Sequence, residues 1–261
     1  ATFNGRHISV ECRTEWLAAE LRRRLMHVVA ATDPVRSPIL RVALDELEPS
    51  WIEVSDSIGR CERGSVEYVA HHARKWMTAA FIAAQPDLIW LHAAAASRDG
   101  AAILLAGPAG AGKSTLLVQL VDGGWDLLAD DVVALRPPAG EVLPLPFSPE
   151  VRAIPHDPGE DWRVFLTQPK ALAAITPDRV ASKPALVAAI VFPEYGRELA
   201  RPLITQLTDV SAAQALATQA LGPRQGSAKI GEMFELARRI ACYRLRYSNP
   251  AVAASELATL G

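Results

Sequence analysis

Gly107-Pro108-Ala109-Gly110-Ala111-Gly112-Lys113-Ser114 fits the pattern G-x-x-x-x-G-K-[ST]. Glycines at these positions let the backbone fold around an anion with successive N–H groups pointing inward. A helix starting at Lys113 would bring its positive dipole end to the same place. The lysine adds a full charge for the β- and γ-phosphates, and the Ser114 hydroxyl is placed to ligate Mg²⁺. The expected ligand is therefore a nucleoside triphosphate with Mg²⁺; ATP is the nucleotide expected for the phosphoryl transfer. The nucleotide-binding set is Gly107, Pro108, Ala109, Gly110, Ala111, Gly112, Lys113, Ser114 and Thr115.

Asp130 and Asp131 follow Lys113 by 17 and 18 residues. In a strand–loop–helix–strand unit this spacing puts both at the carboxyl end of the next strand, the edge where open α/β sheets bind ligands. Neighbours on a strand point to opposite faces. The pair is therefore expected to divide its roles, one carboxylate on metal or water and the other on an attacking hydroxyl. His92 interrupts the apolar run Leu91-His92-Ala93-Ala94, 15 residues before Gly107. Alone it would read as a structural histidine. A tight turn at Arg98-Asp99-Gly100 pairs its strand with the one feeding the loop, which makes it a site candidate.

Together, Leu91-His92-Ala93, the strand Ala101-Ala102-Ile103-Leu104-Leu105-Ala106, the phosphate loop and Leu127-Leu128-Ala129-Asp130-Asp131 resemble the catalytic domain of the HPr kinase/phosphorylase family. About 40 residues carry this resemblance strongly, and residues 85–250 weakly. It implies a kinase acting on a serine of a protein or peptide. By position, Asp131 looks like the proton acceptor, His92 the second active-site residue, Lys113 the phosphate ligand and Ser114 the Mg²⁺ ligand; the division of roles between the aspartates then leaves Asp130 for the metal. Two further family positions are matched less well. Glu150, in Glu150-Val151-Arg152, is the nearest counterpart of a metal-binding glutamate, and Arg224 of a phosphate-binding arginine. Thr115 stands where the family usually has an acidic residue. These departures argue against phosphorolysis and against HPr itself as substrate. The chain looks more like the divergent HPr-kinase-like proteins of bacterial peptide-modification clusters, including lasso peptide maturation. The alternatives are a kinase for free serine or a sugar, and a non-catalytic nucleotide-binding regulatory module.

The elements that must position these residues can be read from hydrophobic periodicity. Helices are expected over 14–31 (Leu17, Leu21, Leu25 and Val28 forming the stripe, Thr14 the cap), 66–84, 113–121, 210–221, 229–239 and 250–260. Strands are expected over 7–12, 39–44, 51–54, 88–97, 101–106, 125–129, 185–192 and 242–247, with a proline-rich extended loop over 137–158. The fold class is α/β: a phosphate-loop core of the HPr-kinase type with a mixed sheet over 86–261, and an N-terminal mixed α+β subdomain over 1–85.

Composition bounds the rest. The chain has 261 residues, half of them hydrophobic, and net charge −2. That excludes disorder and offers no electrostatic footprint for nucleic acid. The longest apolar runs are about half the ~20 residues that span a bilayer. Three scattered cysteines fit a reducing cytosol. The N-terminus lacks a signal-peptide pattern, and the missing initiator Met suggests processing or trimming. The expected partners are a peptide or protein bearing a serine and a further copy of the chain in a homo-oligomer, with no nucleic acid and no membrane. His71-His72 and Arg22-Arg23-Arg24 read as solvated charged faces.

Overall fold

The computed structural model describes residues 1–25, 38–48, 51–152, 170–196, 199–222 and 227–260. They divide into two compact units, Ala1–Pro86 and Asp87–Gly261. In the first, β1 (Thr2–Phe3), β2 (Arg6–Cys12), β3 (Leu40–Glu48), β4 (Trp51–Asp56) and β5 (Cys61–Gly64) form one sheet in that order. β2 and β3 pair in parallel across α1 (Glu15–Leu25), and the other pairs are antiparallel. Leu17, Leu21 and Leu25 are buried, and the Leu17 N–H donates to Thr14 Oγ1 at 3.3 Å. Val28 and the rest of the expected 14–31 helix lie outside the described residues. α2 (Val66–Ala84) starts on a Ser65 cap and buries Val69, Ala73, Met77 and Phe81. β5 was not expected, because Cys-Glu-Arg-Gly has no apolar alternation. Its pairing to β4 alone forms it. His72 stacks on Tyr68 with ring centroids 4.3 Å apart and contacts the Tyr68 carbonyl at 2.9 Å.

The second unit carries the site. In chain order it contains β6 (Ile89–Leu91), β7 (Ala93–Arg98), β8 (Ala101–Ala106), α3 (Lys113–Asp122), β9 (Asp126–Ala129), β10 (Val133–Arg136) and β11 (Glu141–Leu143). There follow β12 (Glu150–Val151), β13 (Ala171–Leu172), β14 (Ala185–Tyr195), β15 (Leu203–Gln206), α4 (Asp209–Gln219) and β16 (Ala220–Leu221). The last elements are α5 (Ser227–Arg239), β17 (Ala241–Tyr247) and α6 (Pro250–Leu257). Ten strands make one mixed sheet, ordered β16-β6-β10-β11-β14-β8-β7-β9, with β17 bridging β14 and β15. β14 is parallel to both β8 and β17, as suits its long apolar run. β7 is antiparallel to β8 and β9 and lies between them. β8 and β9 therefore run the same way without being neighbours.

Two expectations are corrected. The strand expected over 88–97 breaks at His92. Leu91 pairs with Val133 and Ala220, while Ala93 pairs with Ala106. The partners change at His92, whose N–H instead donates to the Gln219 carbonyl at 2.7 Å. The loop expected over 137–158 contains β11, which closes a hairpin with β10, and β12, which pairs with β13. Its prolines sit around these strands and leave their N–H groups free for pairing.

Packing ties the turn of the β7–β8 hairpin to the last helix. The Arg98 guanidinium lies 4.5 Å over the fully buried Trp125 ring, and its Nη2 donates to the Ala258 carbonyl at 3.1 Å. Arg98→Ala removes both contacts. It is expected to lower unfolding free energy by about 1–2 kcal/mol in a urea titration, with the fold retained.

Candidate functional site

The loop 107–112 leaves the buried end of β8 and enters α3 at Lys113. Gly112 adopts φ +94°, a conformation that L side chains rarely adopt. A Cβ at Gly112 would also overlap the Tyr247 hydroxyl. Tyr247, the last residue of β17, is 1% exposed, and burial pushes its phenol well above the usual range. Its ring meets Tyr195 edge-on at 5.7 Å. The loop is thus backed by a rigid aromatic pair, which the sequence motif did not disclose because the tyrosine lies far downstream.

Lys113 is 7% exposed. Its Nζ donates to the Gly107 carbonyl at 2.7 Å, to the Pro108 carbonyl at 3.0 Å and to His92 Nε2 at 3.0 Å. Burial lowers its pKa from 10.5 to about 8, against the opposing pull of Asp130 and Asp131 and with help from the positive charge of Lys170. The other ring nitrogen of His92, Nδ1, lies 3.0 Å from the Asp131 carbonyl and 3.4 Å from Asp131 Oδ1. A carbonyl only accepts and an ammonium only donates. Nδ1 therefore carries the hydrogen, and Nε2 offers its lone pair to Lys113.

The aspartates differ as sharply as their adjacency allows. Asp130 is 3% exposed, and its Oδ1 accepts from the Ser114 hydroxyl at 2.9 Å. The side chain of Asp131 is 51% exposed. β9 ends at Ala129, so strand alternation does not separate them. Asp131 instead takes a left-handed φ of +71°, which turns the chain and sends the second carboxylate toward His92 and solvent.

Ser114 and the buried Asp130 present two hard oxygens side by side, which fits Mg²⁺. That ion is ordinarily held by one or two carboxylates together with phosphate oxygens and water. Among the described residues no group of three or more His, Cys, Asp or Glu side chains is placed to hold an ion. Glu150 accordingly joins no such cluster. It lies in the short β12–β13 pair opposite Leu172. Arg224 lies outside the described residues. Thr115 sits in the first turn of α3. Lys170, which the sequence reading passed over, is the added cation near Lys113.

No family model and no curated protein matches this chain. Among solved structures it is similar to the Hpr(Ser) kinase/phosphatase from Coxiella burnetii, at 16% identity and TM-score 0.32, covering 65% of this chain and 94% of that one. Among the described residues no helix is long and apolar enough to cross a membrane.

Three outcomes are expected. Gly112→Ala should cost roughly 2–4 kcal/mol of stability through steric overlap and backbone strain, and the double variant with Tyr247→Phe should recover part of that loss. Nucleotide binding should follow the Lys113 charge. Affinity for a fluorescent ATP analogue should fall by about tenfold from pH 7 to pH 9 as the ammonium is lost, and Lys113→Met should bind weakly with a flat profile. Without nucleotide the sign reverses. The unfolded chain holds this proton more tightly, so stability rises as pH climbs from about 8 toward 10.5, and Lys113→Met abolishes that contribution.

Proposed function

We propose that this chain is an ATP-dependent phosphotransferase that moves the γ-phosphoryl group to a serine hydroxyl of a peptide or protein. One observation carries the reading. A single imidazole spans the phosphate-loop lysine and the half-exposed carboxylate of Asp131, at 3.0 Å from Lys113 Nζ and 3.4 Å from Asp131 Oδ1. An acceptor hydroxyl approaching from solvent would meet that carboxylate next to the group that neutralises the γ-phosphate.

In this mechanism the loop amides hold the polyphosphate and the Lys113 ammonium turns from the Gly107 and Pro108 carbonyls to phosphate oxygens, which are stronger acceptors. Asp131 accepts the hydroxyl proton as the serine oxygen bonds to the γ-phosphorus and the bond to the β–γ bridging oxygen breaks, releasing ADP. His92, as the Nδ1–H tautomer, orients Asp131 and leaves Nε2 toward Lys113. Mg²⁺, held by Ser114 and Asp130 together with phosphate oxygens, would supply further neutralisation of the transferring group. The proposed acceptor is a precursor peptide of a bacterial peptide-modification pathway such as lasso peptide maturation. The departures from the HPr kinase/phosphorylase pattern at Thr115, Glu150 and Arg224, which argue against HPr as acceptor, support this.

The test is radiolabelled ATP with Mg²⁺, serine-containing peptides and free serine, with the phosphate located by mass spectrometry. Asp131→Asn keeps a residue that tolerates the left-handed backbone, so the fold and ATP affinity should persist. Phosphorylation should fall by about 10²–10⁴-fold. Wild-type turnover in that variant would remove Asp131 from its role. Labelled free serine with no labelled peptide would make the protein a metabolite kinase. ATP binding with no labelled acceptor would make it a nucleotide-binding regulatory module.

A further inference from the structure

β9 ends at the site, and the stretch beside it runs on past that end. The Leu145 N–H donates to the Leu128 carbonyl at 2.9 Å, and Leu145 pairs with Ala129 in parallel. The residues after Leu145 therefore continue in the direction of Asp130 and Asp131. Phe147 and Ser148 are buried, which fixes this stretch to the unit. It then forms β12, which lies against α3 and pairs with β13. Glu150 stands opposite Leu172 and Val151 opposite Ala171, and the Ala173 N–H donates to the Pro149 carbonyl at 2.8 Å.

Lys170 directly precedes Ala171, at the end of this ribbon farthest from β9. α3, on which the ribbon lies, begins with Lys113. Topology thus brings a second ammonium to the edge of the sheet that holds Lys113, Asp130 and Asp131. Its charge reaches the buried Lys113 and works against it. Lys170 is exposed, and its side chain makes no hydrogen bond or ion pair with any described residue. Two like charges facing one edge of a sheet are unfavourable until an anion comes between them. The phosphate-loop lysine serves the β- and γ-phosphates, so the anion that both can meet is the outer part of the polyphosphate.

The residue type fits that role. The chain has 22 arginines and five lysines, and two of the five lysines meet here. Arginine suits planar, two-pronged pairing with a carboxylate, whereas lysine is a compact point charge on a flexible stem. In phosphoryl transfer the charge spreads over three equatorial oxygens of the moving group. The loop amides and Lys113 meet that charge from the buried side. A cation from the solvent side completes the clamp.

We infer that Lys170 binds the γ-phosphate from the solvent side, opposite Lys113, and is a catalytic residue of the phosphoryl transfer. The catalytic part rests on the phosphotransferase reading above, whereas the contact with the γ-phosphate can be tested without it.

The experiment measures how ATP and ADP, each with Mg²⁺, displace a fluorescent ATP analogue from wild type, Lys170→Met and Lys170→Arg. Phosphorylation of serine peptides with and without an acidic residue beside the serine is measured in parallel. Lys170 is exposed, so both variants should keep the wild-type urea midpoint. Lys170→Met should weaken ATP about tenfold and leave ADP unchanged, and Lys170→Arg should restore most of the ATP affinity. In Lys170→Met kcat should fall about 10²-fold, with the peptide KM unchanged. Equal ATP affinity in wild type and Lys170→Met, or an equal loss for ATP and ADP, overturns the assignment and leaves the phosphotransferase standing. Loss of a preference for acidic peptides with ATP affinity intact gives the charge to the acceptor and overturns it too. If wild type labels no acceptor while Lys170→Met weakens ATP alone, the phosphotransferase reading and the catalytic role fall together, and the γ-phosphate contact stands.

Discussion

An ammonium ion buried beside a glycine-rich loop imposes most of the remaining geometry. Lys113 keeps 7% of its surface accessible, and burial would make its charge untenable without partners. The partners are two carbonyls of its own loop and one lone pair of His92. Each is a requirement on a different part of the chain. The carbonyls need the loop to curl back over the start of α3. The lone pair needs His92 in one tautomer, which the Asp131 carbonyl fixes, and that carbonyl is turned toward the ring by a left-handed residue. The left-handed backbone at Asp131 and the break between β6 and β7 at His92 both bear on the same buried charge.

The division between the two aspartates has the same origin. Asp130 lies deep, held by the Ser114 hydroxyl. Asp131 is half-exposed, and one backbone dihedral separates the two environments. One carboxylate is reachable from solvent and the other is fixed by its hydroxyl partner. The chain reaches both arrangements within two consecutive residues by bending rather than by lengthening.

The loop, its helix and the place of the Asp-Asp pair at the end of β9 were legible because their signals are local. The glycine spacing, the following helix and the 17- and 18-residue offsets are written in one contiguous stretch. The order of strands was not legible. Residues 88–97 read as one apolar run, because hydropathy does not record that Leu91 and Ala93 find different partners. β5 was missed because its pairing, not its composition, forms it. The contributions of Lys170, Gln219 and Tyr247 were invisible for a related reason. Each reaches the site from far along the chain, and nothing in its own neighbourhood signals it. The separation of Asp130 from Asp131 was foreseen, but by strand alternation. The structure reaches it through a turn that no pattern of hydrophobicity encodes.

The contact between Gly112 and Tyr247 has a consequence for synthesis of the protein. The glycine-rich segment leaves the ribosome long before the tyrosine that backs it, and the strand carrying that tyrosine lies against β14, which pairs with β8. A nascent chain that has already exposed the whole glycine-rich motif still lacks the side chain that packs against Gly112. The last strand to be translated thus closes a contact with one of the earlier segments of the same unit.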